Sequence, residues 1–249
     1  MKVSVITASF NNSESIVDCI KSVAGQSYKD IEHIVIDGGS SDGTLEHIKE
    51  HQCSIFKIVS EPDHGIYHAL NKGIRMATGG VIGFLHADDV YSDNDVIETV
   101  SNQMEFHGVD SCYGDLLYVN KKNIAKTVRY WKSSPYQEGL FQKGWMPPHP
   151  TFFAKKEIYD KYGCFNTEFR IAADYELMLR LIGKNKITTH YIPEVLIKMR
   201  TGGESNKSLK NLLLKTSEDY RALKENEPAN KYYALFMKNI SKLPQFFKR

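Results

Sequence analysis

The sequence predicts an α/β fold in which a mostly parallel sheet is flanked by helices. Two observations support this prediction. Short apolar, β-branched runs recur four times within residues 1–106, and apolar residues at helical spacing follow each of them. Helices cover both faces of a parallel sheet, so its strands read as unbroken apolar runs. The four predicted strands are Val3–Thr7, Ile34–Ile36, Phe56–Val59 and Val81–Leu85.

The predicted helices are marked by apolar side chains three and four residues apart. Their stripes are Ile16, Ile20 and Val23; Leu45 and Ile48; Ala69, Leu70, Gly73, Ile74 and Ala77; and Val96, Ile97, Val100 and Met104. Beyond residue 106 the pattern changes to a hairpin, a helix and a further strand. These elements are predicted at Cys112–Val119 with Ile124–Trp131, at Asp174–Ile182 and near Ile187–Ile192. Residues 204–249 read as a helical, basic and aromatic extension.

Charge is distributed unevenly along the 249 residues, although the net charge is only +2. From Lys198 onward there are 12 Lys and Arg against 5 Asp and Glu, whereas residues 1–197 hold 20 against 25. An acidic body with a basic tail indicates that the two parts have different partners. The small net charge gives no indication of a nucleic-acid partner.

The expected compartment is the cytoplasm. No apolar run approaches the ~18 residues that span a bilayer, and the N-terminal apolar stretch is too short for a signal peptide. The four cysteines form no close pair in the sequence, which favours small buried thiols over a zinc site or a disulfide framework.

Ligands of open parallel sheets bind beyond the carboxyl ends of the strands, so the residues at those ends are the candidate site. The first strand leads into small and polar residues that suit a base or a ribose: Thr7, Ala8, Ser9 and Asn11. The second strand ends at Asp37 and Gly38, where a carboxylate meets backbone that can approach a ligand closely. Asp42, a few residues later, could equally cap the next helix.

The third strand leads to Asp63 and Gly65 at a predicted helix start, where free N–H groups can meet ligand oxygens. On that helix, Lys72 could reach a phosphate or could be a solvated lysine. His64 and His68 share a face, but no third zinc ligand is evident.

The fourth strand ends in His86, Ala87, Asp88 and Asp89. Two adjacent carboxylates after a buried strand are costly unless a positive charge binds there. Oxygen ligands favour Mg²⁺ or Mn²⁺, and such an ion could bind a diphosphate. A helix cap is the alternative, and it accounts for only one of the two acids.

Three later segments add candidates. Asp174 begins an apolar helix, where it could be a cap or a general base. Trp145 precedes a Pro-rich stretch that contains His149, and this stretch could line an acceptor site or form a rigid turn. Arg200, next to Gly202-Gly203, could lie near the phosphates in a loop that closes over the donor.

Taken together, these residues resemble the family-2 glycosyltransferases with a GT-A (Rossmann-like) fold, especially those that build bacterial surface polysaccharides. The resemblance covers roughly residues 1–205 and rests on five segments in the same order. They are Val3–Asn12, Ile36–Thr44, Glu61–Gly73, Phe84–Asp89 and Ala173–Glu176.

The resemblance implies an inverting, metal-dependent transfer of a sugar from a nucleoside diphosphate sugar, with UDP favoured. Thr7, Ser9 and Asp37 would hold the base and ribose, Asp88 and Asp89 the Mn²⁺ or Mg²⁺, and Asp174 would be the catalytic base. Residues 1–106 would form the nucleotide-binding half and 107–205 the acceptor-binding half, followed by the 206–249 extension. Two features depart from the family pattern: His86 stands where an Asp is usual, and the loop 199–205 lacks a metal-binding histidine.

The C-terminal extension combines basic and aromatic residues, which suits docking on an anionic membrane that carries a lipid-linked saccharide acceptor. Packing onto the main domain or onto a second subunit, as in a homodimer, is the alternative. The residues concerned are Lys231, Lys238, Lys242, Lys248, Arg249, Tyr232, Tyr233, Phe236, Ile240, Leu243, Phe246 and Phe247. A sugar nucleotidyltransferase and a non-catalytic sugar-nucleotide-binding or scaffold protein remain open as other functions.

Overall fold

The computed structural model describes residues 1–202, 209–226 and 231–240. Its strands are β1 Val3–Ser9, β2 Ile31–Asp37, β3 Lys57–Ser60, β4 Val81–Phe84, β5 Val90–Tyr91, β6 Ser111–Val119, β7 Thr127–Trp131, β8 Phe153–Lys155 and β9 Thr189–Arg200. Its α-helices are α1 Ile16–Ala24, α2 Thr44–Glu50, α3 Ile66–Met76, α4 Val96–His107, α5 Lys156–Tyr162, α6 Ala173–Met178, α7 Leu209–Asn226 and α8 Lys231–Ile240. A π-helical turn, Leu179–Lys184, continues α6.

The strands form one sheet in the order β3-β2-β1-β4-β8-β6-β9-β5, with β7 paired to β6. The strands β3, β2, β1 and β4 run parallel to one another, as predicted. β1 is buried along its whole length, and α3 packs closely on it. A Cβ at Gly73 would stand 2.3 Å from a methyl of Ile6, so this helix can lie against the strand only because Gly73 lacks a side chain.

Beyond β4 the sheet is mixed rather than parallel. β8 pairs antiparallel with β4 and with β6, β9 is parallel to β6, and β5 is antiparallel to β9. The predicted hairpin is confirmed as β6 and β7. The strand expected near Ile187–Ile192 begins at Thr189 and continues to Arg200, with a shift of register around Pro193, which has no N–H to donate.

The C-terminal helices pack on the second half of the protein. Ala222 and Leu223 of α7 and Ala234 of α8 are fully buried in the same apolar core as α6. Lys238, expected among the basic residues of a docking surface, is instead buried in an ion pair with Asp219, 2.6 Å away. In the described residues the extension is therefore part of the main body.

The predicted boundary between residues 205 and 206, the hinge glycine Gly203 and the tail residues Lys242, Leu243, Phe246, Phe247, Lys248 and Arg249 lie outside the described residues. Across the described ranges, no helix has the length and hydropathy needed to cross a bilayer. All four cysteines are unpaired. Cys53 was expected to be buried, but it is exposed.

Candidate functional site

The carboxyl ends of β1, β2 and β4 lie side by side at one edge of the sheet. Ser9 at the end of β1 pairs with Asp37 at the end of β2, and the N–H of Leu85 after β4 donates to the carbonyl of Ile6 on β1. Neighbouring strands are about 4.8 Å apart, so Asp37 and the end of β4 are separated by roughly 10 Å across β1. The candidate segments that follow β1, β2 and β4 therefore lie together at this edge of the sheet.

Asp37 organises the loop that follows β2. Its buried carboxylate accepts hydrogen bonds from the N–H groups of Gly39 and Ser40, at 3.2 and 3.1 Å, and from the hydroxyls of Ser40 and Ser60, at 2.5 and 2.7 Å. Both oxygens therefore already have protein donors. A nucleotide that contacts Asp37 has to share its carboxylate with this loop.

The residues after β1 divide into two groups. Thr7 does not reach the cleft, because its buried hydroxyl bonds to His33 Nε2 at 2.9 Å. The methyl of Ala8 is packed in the core as well, so for both residues the geometry does not support a side-chain contact with a ligand. Ser9 differs, because its buried hydroxyl lacks a hydrogen-bond partner within the described residues.

Asn11 and Gly38 join the first two loops. The amide oxygen of Asn11 accepts from the N–H of Ser41 at 3.0 Å, and the N–H of Gly38 donates to the carbonyl of Ser9 at 2.8 Å. Asp42 accepts from the N–H and hydroxyl of Thr44, the first residue of α2. The hydrogen bond from the Thr44 hydroxyl holds the pKa of Asp42 well below its usual range, which fits the capping alternative.

Lys72 on α3 is paired with acids and does not point to a free anion site. Its ammonium lies 2.5 Å from Asp63 and 2.6 Å from Glu61, and these hydrogen bonds raise its pKa. The expected phosphate contact of Lys72 is therefore not supported. Gly65 precedes the helix with φ +111°, a conformation that favours glycine, so the predicted helix start is in the expected position.

The acid pair after β4 is asymmetric. Asp89 is 1% exposed; one oxygen accepts from the N–H of Arg200 at 3.1 Å, while the other is buried with no partner in the described chain. Burial, followed by the charge of Asp88, raises the pKa of Asp89 well above its usual range. Asp88 is half-buried. Ala87 between the pair and His86 points its methyl into the core and makes no side-chain contact with the cleft.

This arrangement fits a divalent cation held by few protein ligands. The orphaned oxygen of Asp89 and the neighbouring carboxylate of Asp88 are hard oxygen donors of the kind that Mg²⁺ and Mn²⁺ accept. No group of three or more His, Cys, Asp or Glu side chains forms a metal cluster in the ranges described above. An ion bound here would complete its shell with water and diphosphate oxygens, as Mg²⁺ commonly does.

Arg200 lies behind the acid pair rather than beside a phosphate site. Its guanidinium donates to the carbonyls of Asp88 and Lys121, at 2.6 and 3.2 Å, and pairs with Asp18 on α1 at 2.5 Å. Three contacts on a side chain that is itself buried leave this guanidinium fixed. The prediction that Arg200 contacts the donor phosphates is corrected: it anchors the loop that carries Asp88 and Asp89.

Asp174 lies in the first turn of α6 and is bonded to His149. The Nδ1 of His149 is 2.9 Å from Oδ2 of Asp174, and the hydroxyl of Tyr67 is 3.5 Å from Oδ1. Burial alone would raise the pKa of Asp174, but the charge and hydrogen bond of His149 and the charge of Lys238 hold it well below its usual range. Asp174 is therefore ionised and oriented.

Asp88 and Asp174 both lie near the same histidine, His86. The ring of His86 lies 6.3 Å from that of His149, measured between centroids. Burial and the charge of His149 lower the pKa of His86, whereas the charges of Asp88 and Asp174 act on it in the opposite direction. Two carboxylates from separate parts of the chain thus converge on one cleft, with His86 between them.

Trp145 contributes less to this cleft than expected. Its half-buried ring packs among Tyr113, Tyr136 and Phe141, with centroid separations of 5.4 to 5.8 Å. The side chain therefore belongs mainly to an aromatic cluster. The contact of Trp145 with an acceptor stays a prediction.

Glu218 on α7 supports the site and was missed by sequence reasoning. Its carboxylate accepts from the N–H groups of Arg170, Ile171 and Ala172, at 2.8, 2.8 and 2.9 Å, in the loop directly before α6. No local pattern signals this contact. The sequence cue is weak: Glu218 stands four residues from Leu214 and four from Ala222, two apolar positions of the same helix face.

Three comparisons with known proteins agree with this geometry. Residues 4–166 match the family described as Glycosyl transferase family 2. The uncharacterized glycosyltransferase Rv1514c of Mycobacterium tuberculosis is 35% identical over 180 residues, which cover 72% of this chain and 68% of that protein. A PGL/p-HBAD biosynthesis glycosyltransferase of Mycobacterium bovis is 27% identical over 208 residues, covering 82% and 78%.

Solved structures share the fold at low sequence identity. S. aureus TarS 1–349 in complex with UDP-GlcNAc superposes with a TM-score of 0.73 and 16% identity, covering 98% of this chain and 73% of that one. The mannosyltransferase PcManGT from Pyrobaculum calidifontis, in complex with GDP-Man and Mn²⁺, gives a TM-score of 0.68 and 18% identity, covering 99% and 73%. Both are similar to this chain along nearly its whole length.

Proposed function

The chain belongs to glycosyl transferase family 2, and we propose that it moves a sugar from a nucleoside diphosphate sugar to a hydroxyl of a saccharide acceptor, with inversion at the anomeric carbon. The observation that carries the proposal is the convergence of the Asp88/Asp89 pair and Asp174 on one cleft. One part of that cleft suits a diphosphate with its cation, and the other suits removal of a proton.

The donor side is built from β1, β2 and β4. Ser9, Asp37 and the backbone of Gly38 stand where a base and ribose would bind, and Asp88 with Asp89 would hold the cation. Mn²⁺ or Mg²⁺ bound there would neutralise the charge that grows on the leaving diphosphate. UDP is favoured as the nucleotide because TarS was solved with UDP-GlcNAc, although PcManGT was solved with GDP-Man and Mn²⁺.

On the acceptor side, Asp174 is the carboxylate on which removal of the hydroxyl proton depends. It is ionised, anchored in a helix and fixed by His149. A positioned base contributes ~10²–10⁴ in rate. Inversion follows when the acceptor oxygen attacks the face opposite the leaving diphosphate.

The acceptor is proposed to be lipid-linked, in the synthesis of a surface polysaccharide or glycolipid on the cytoplasmic face of a membrane. A relative named for PGL biosynthesis supports this class, and so does the outer surface of α8. There Tyr232 and Phe236 are 71% and 60% exposed beside Tyr233, a pattern typical of interfacial helices. Liposome flotation of wild type and of a Tyr232→Ser/Phe236→Ser variant tests this part; equal flotation would argue against it.

The catalytic proposal is tested with purified protein and a panel of nucleotide sugars in Mn²⁺. Thermal shift identifies the donor, because a ligand at 100 times its Kd adds about 2.7 kcal/mol to the stability of the folded state. Release of nucleoside diphosphate with that donor is then compared for wild type and Asp174→Asn. The variant should fold and bind donor but lose turnover; near-normal turnover would refute the role of Asp174.

The same assay separates the other functions that the sequence left open. A nucleotidyltransferase would release pyrophosphate from a nucleoside triphosphate and a sugar phosphate. A non-catalytic binding protein would show a thermal shift but release no nucleoside diphosphate.

A further inference from the structure

We propose that a separate cavity beside the catalytic cleft binds a phosphate group, the one that links the saccharide acceptor to its lipid. The inference rests on the proposed transfer reaction and deepens it, because it assigns a subsite for the acceptor. The cavity, here called the α3 cavity, has a volume of about 410 Å³, which is within the range of small-molecule sites. Its walls are residues 64–68 at the start of α3 and Thr167, Phe169 and Arg170 before α6.

Three side chains with N–H donors line the α3 cavity: His64, His68 and Arg170. The two imidazole rings lie with their centroids 5.6 Å apart and their planes at 70°. Within residues 1–202, 209–226 and 231–240, none of these three side chains has a hydrogen bond or an ion pair. A guanidinium presents a planar fork of donors that matches the oxygens of a phosphate. The donors of the cavity therefore suit an anionic ligand.

The carboxylates that flank these residues in the sequence are already paired. Asp63 and Glu61 share the ammonium of Lys72, at 2.5 and 2.6 Å. Glu168, between two of the lining residues, pairs with Arg221 on α7. A phosphate in the α3 cavity would thus meet the guanidinium of Arg170 without competition from these neighbouring acids.

The remaining walls of the α3 cavity are apolar and aromatic. Phe169 is buried, Tyr67 is half-buried, and Ile66 is 43% exposed. Small-molecule sites commonly combine such walls with a few polar groups that orient the ligand. The apolar walls suit a sugar ring or the first carbons of a lipid, so the cavity fits a phosphate ester better than a free phosphate ion.

The α3 cavity shares a wall with the proposed catalytic site. Tyr67 lines the cavity, and its hydroxyl is 3.5 Å from Oδ1 of Asp174 and donates to the carbonyl of Ile171 at 2.8 Å. The other oxygen of Asp174, Oδ2, is 2.9 Å from His149, on the side that leads through His86 to the acid pair. The cavity and the proposed cation site therefore approach different oxygens of Asp174. An acceptor held by its phosphate in the cavity would bring a sugar hydroxyl to this carboxylate.

Contacts also connect the α3 cavity to the helix surface that is proposed to meet the membrane. The guanidinium of Arg221 on α7 lies 4.7 Å from the ring centroid of Phe169. The hydroxyl of the adjacent Tyr220 is 3.2 Å from that of Tyr232, which is exposed on α8. A helix of this kind lies at the level of the lipid headgroups. The phosphate of a membrane-anchored acceptor would therefore reach the cavity from the α8 side.

Nitrogen-15 NMR of histidine-labelled protein tests the assignment without donor or turnover. Glucose 1-phosphate is the probe, glucose is its uncharged control, and EDTA removes the divalent cations through which a phosphate would bind at the acid pair. The signals of His64 and His68, assigned from single Gln variants, should shift in a saturable way with the probe and not with glucose. The stacked rings of His107 and His190 are the internal reference and should not respond.

Arg170→Gln should weaken binding of glucose 1-phosphate by about tenfold, because hydrogen bonds to a charged partner are lost. Arg75→Gln, at an exposed position of α3, is the matched control and should bind the probe as wild type does. Unchanged signals of His64 and His68, or equal affinity of wild type and Arg170→Gln, would overturn the proposal. Dihexanoyl phosphatidylglycerol that binds as tightly as glucose 1-phosphate would assign the cavity to a membrane phospholipid and would overturn the acceptor assignment.

The binding experiment is independent of the transfer assay. If wild type releases no nucleoside diphosphate from any nucleotide sugar, the proposed function fails, and the histidine signals still decide whether the α3 cavity binds a sugar phosphate. If transfer is observed but the probe does not bind, the proposed function stands and the phosphate subsite is wrong.

Discussion

Replacing Glu218 with Gln should destabilise the protein by about 2–4 kcal/mol, because one carboxylate serves three main-chain donors. Its two oxygens accept from the N–H groups of residues 170, 171 and 172 at 2.8 to 2.9 Å. Gln keeps one acceptor oxygen and turns an NH₂ group toward at least one N–H. Each buried N–H that loses its partner costs ~1–3 kcal/mol, and the bonds that remain lose the assistance of charge.

Urea unfolding at neutral pH measures this loss against a matched control. Glu225→Gln, on the same helix, removes an exposed pair with Arg221 and should change stability by less than about 1 kcal/mol. Because the loop leads into α6, we also expect Glu218→Gln to lower kcat more than it weakens donor binding. A Glu218→Gln variant within about 0.5 kcal/mol of wild type, with an unchanged m-value, would refute the reasoning.

Three further predictions concern the sheet and the acid pair. Gly83→Ala should destabilise by at least ~1–3 kcal/mol, since its Cβ would stand 2.1 Å from the Phe153 ring, whereas Gly80→Ala, with 3.8 Å of clearance, should be tolerated in the same thermal melts. Burial raises the pKa of Glu32, but hydrogen bonds from Lys2 and from other groups around it outweigh burial and lower it from 4.5 to about 2. A folded-state pKa below the unfolded value stabilises the folded protein above pH 4.5. Wild type should therefore lose about 3 kcal/mol of stability relative to Glu32→Gln as the pH falls from 5 to 2; a pH-independent difference in urea titrations would contradict this. Asp88→Asn should weaken nucleotide binding in Mn²⁺ but not in EDTA, as measured by calorimetry, and equal weakening in both would argue against a cation at this carboxylate.

The edge of the sheet that carries the candidate donor site could be predicted because its signals are local. β1, β2 and β4 are apolar runs that end in polar residues, and a parallel arrangement then brings Asp37 and Asp88 to one edge. Periodicity also located the hairpin of β6 and β7. By contrast, β5 and β8 contain two and three residues, too few to display any alternation.

The second half of the site depends on contacts that leave no pattern in the sequence. Glu218 reaches a loop 46 to 48 residues away, and Arg200 bonds to a residue on α1 that is 182 positions distant. Composition identified Arg200 and Lys238 as cations but could not tell which face each would occupy. Arg200 is buried behind the acid pair, where it pairs with Asp18. Lys238 is buried beneath α6, where it pairs with Asp219.

The C-terminal helices link the extension to the chemistry of the site. α7 holds the loop before α6 through Glu218, and α8 inserts Lys238 over the ring of Tyr175, 3.1 Å from its centroid, next to Asp174. Removing the extension to test membrane binding would therefore disturb the proposed active site as well. Substitutions on the exposed side of α8 separate the two roles.

The most direct test of the account is a crystal structure with the donor identified by thermal shift and with Mn²⁺ located by anomalous scattering. The account predicts manganese in contact with Asp88 or Asp89, bridging to the diphosphate, and an anomeric carbon whose open face is directed toward His149 and Asp174. A nucleotide sugar bound elsewhere, or one whose open anomeric face is directed away from that pair, would contradict it.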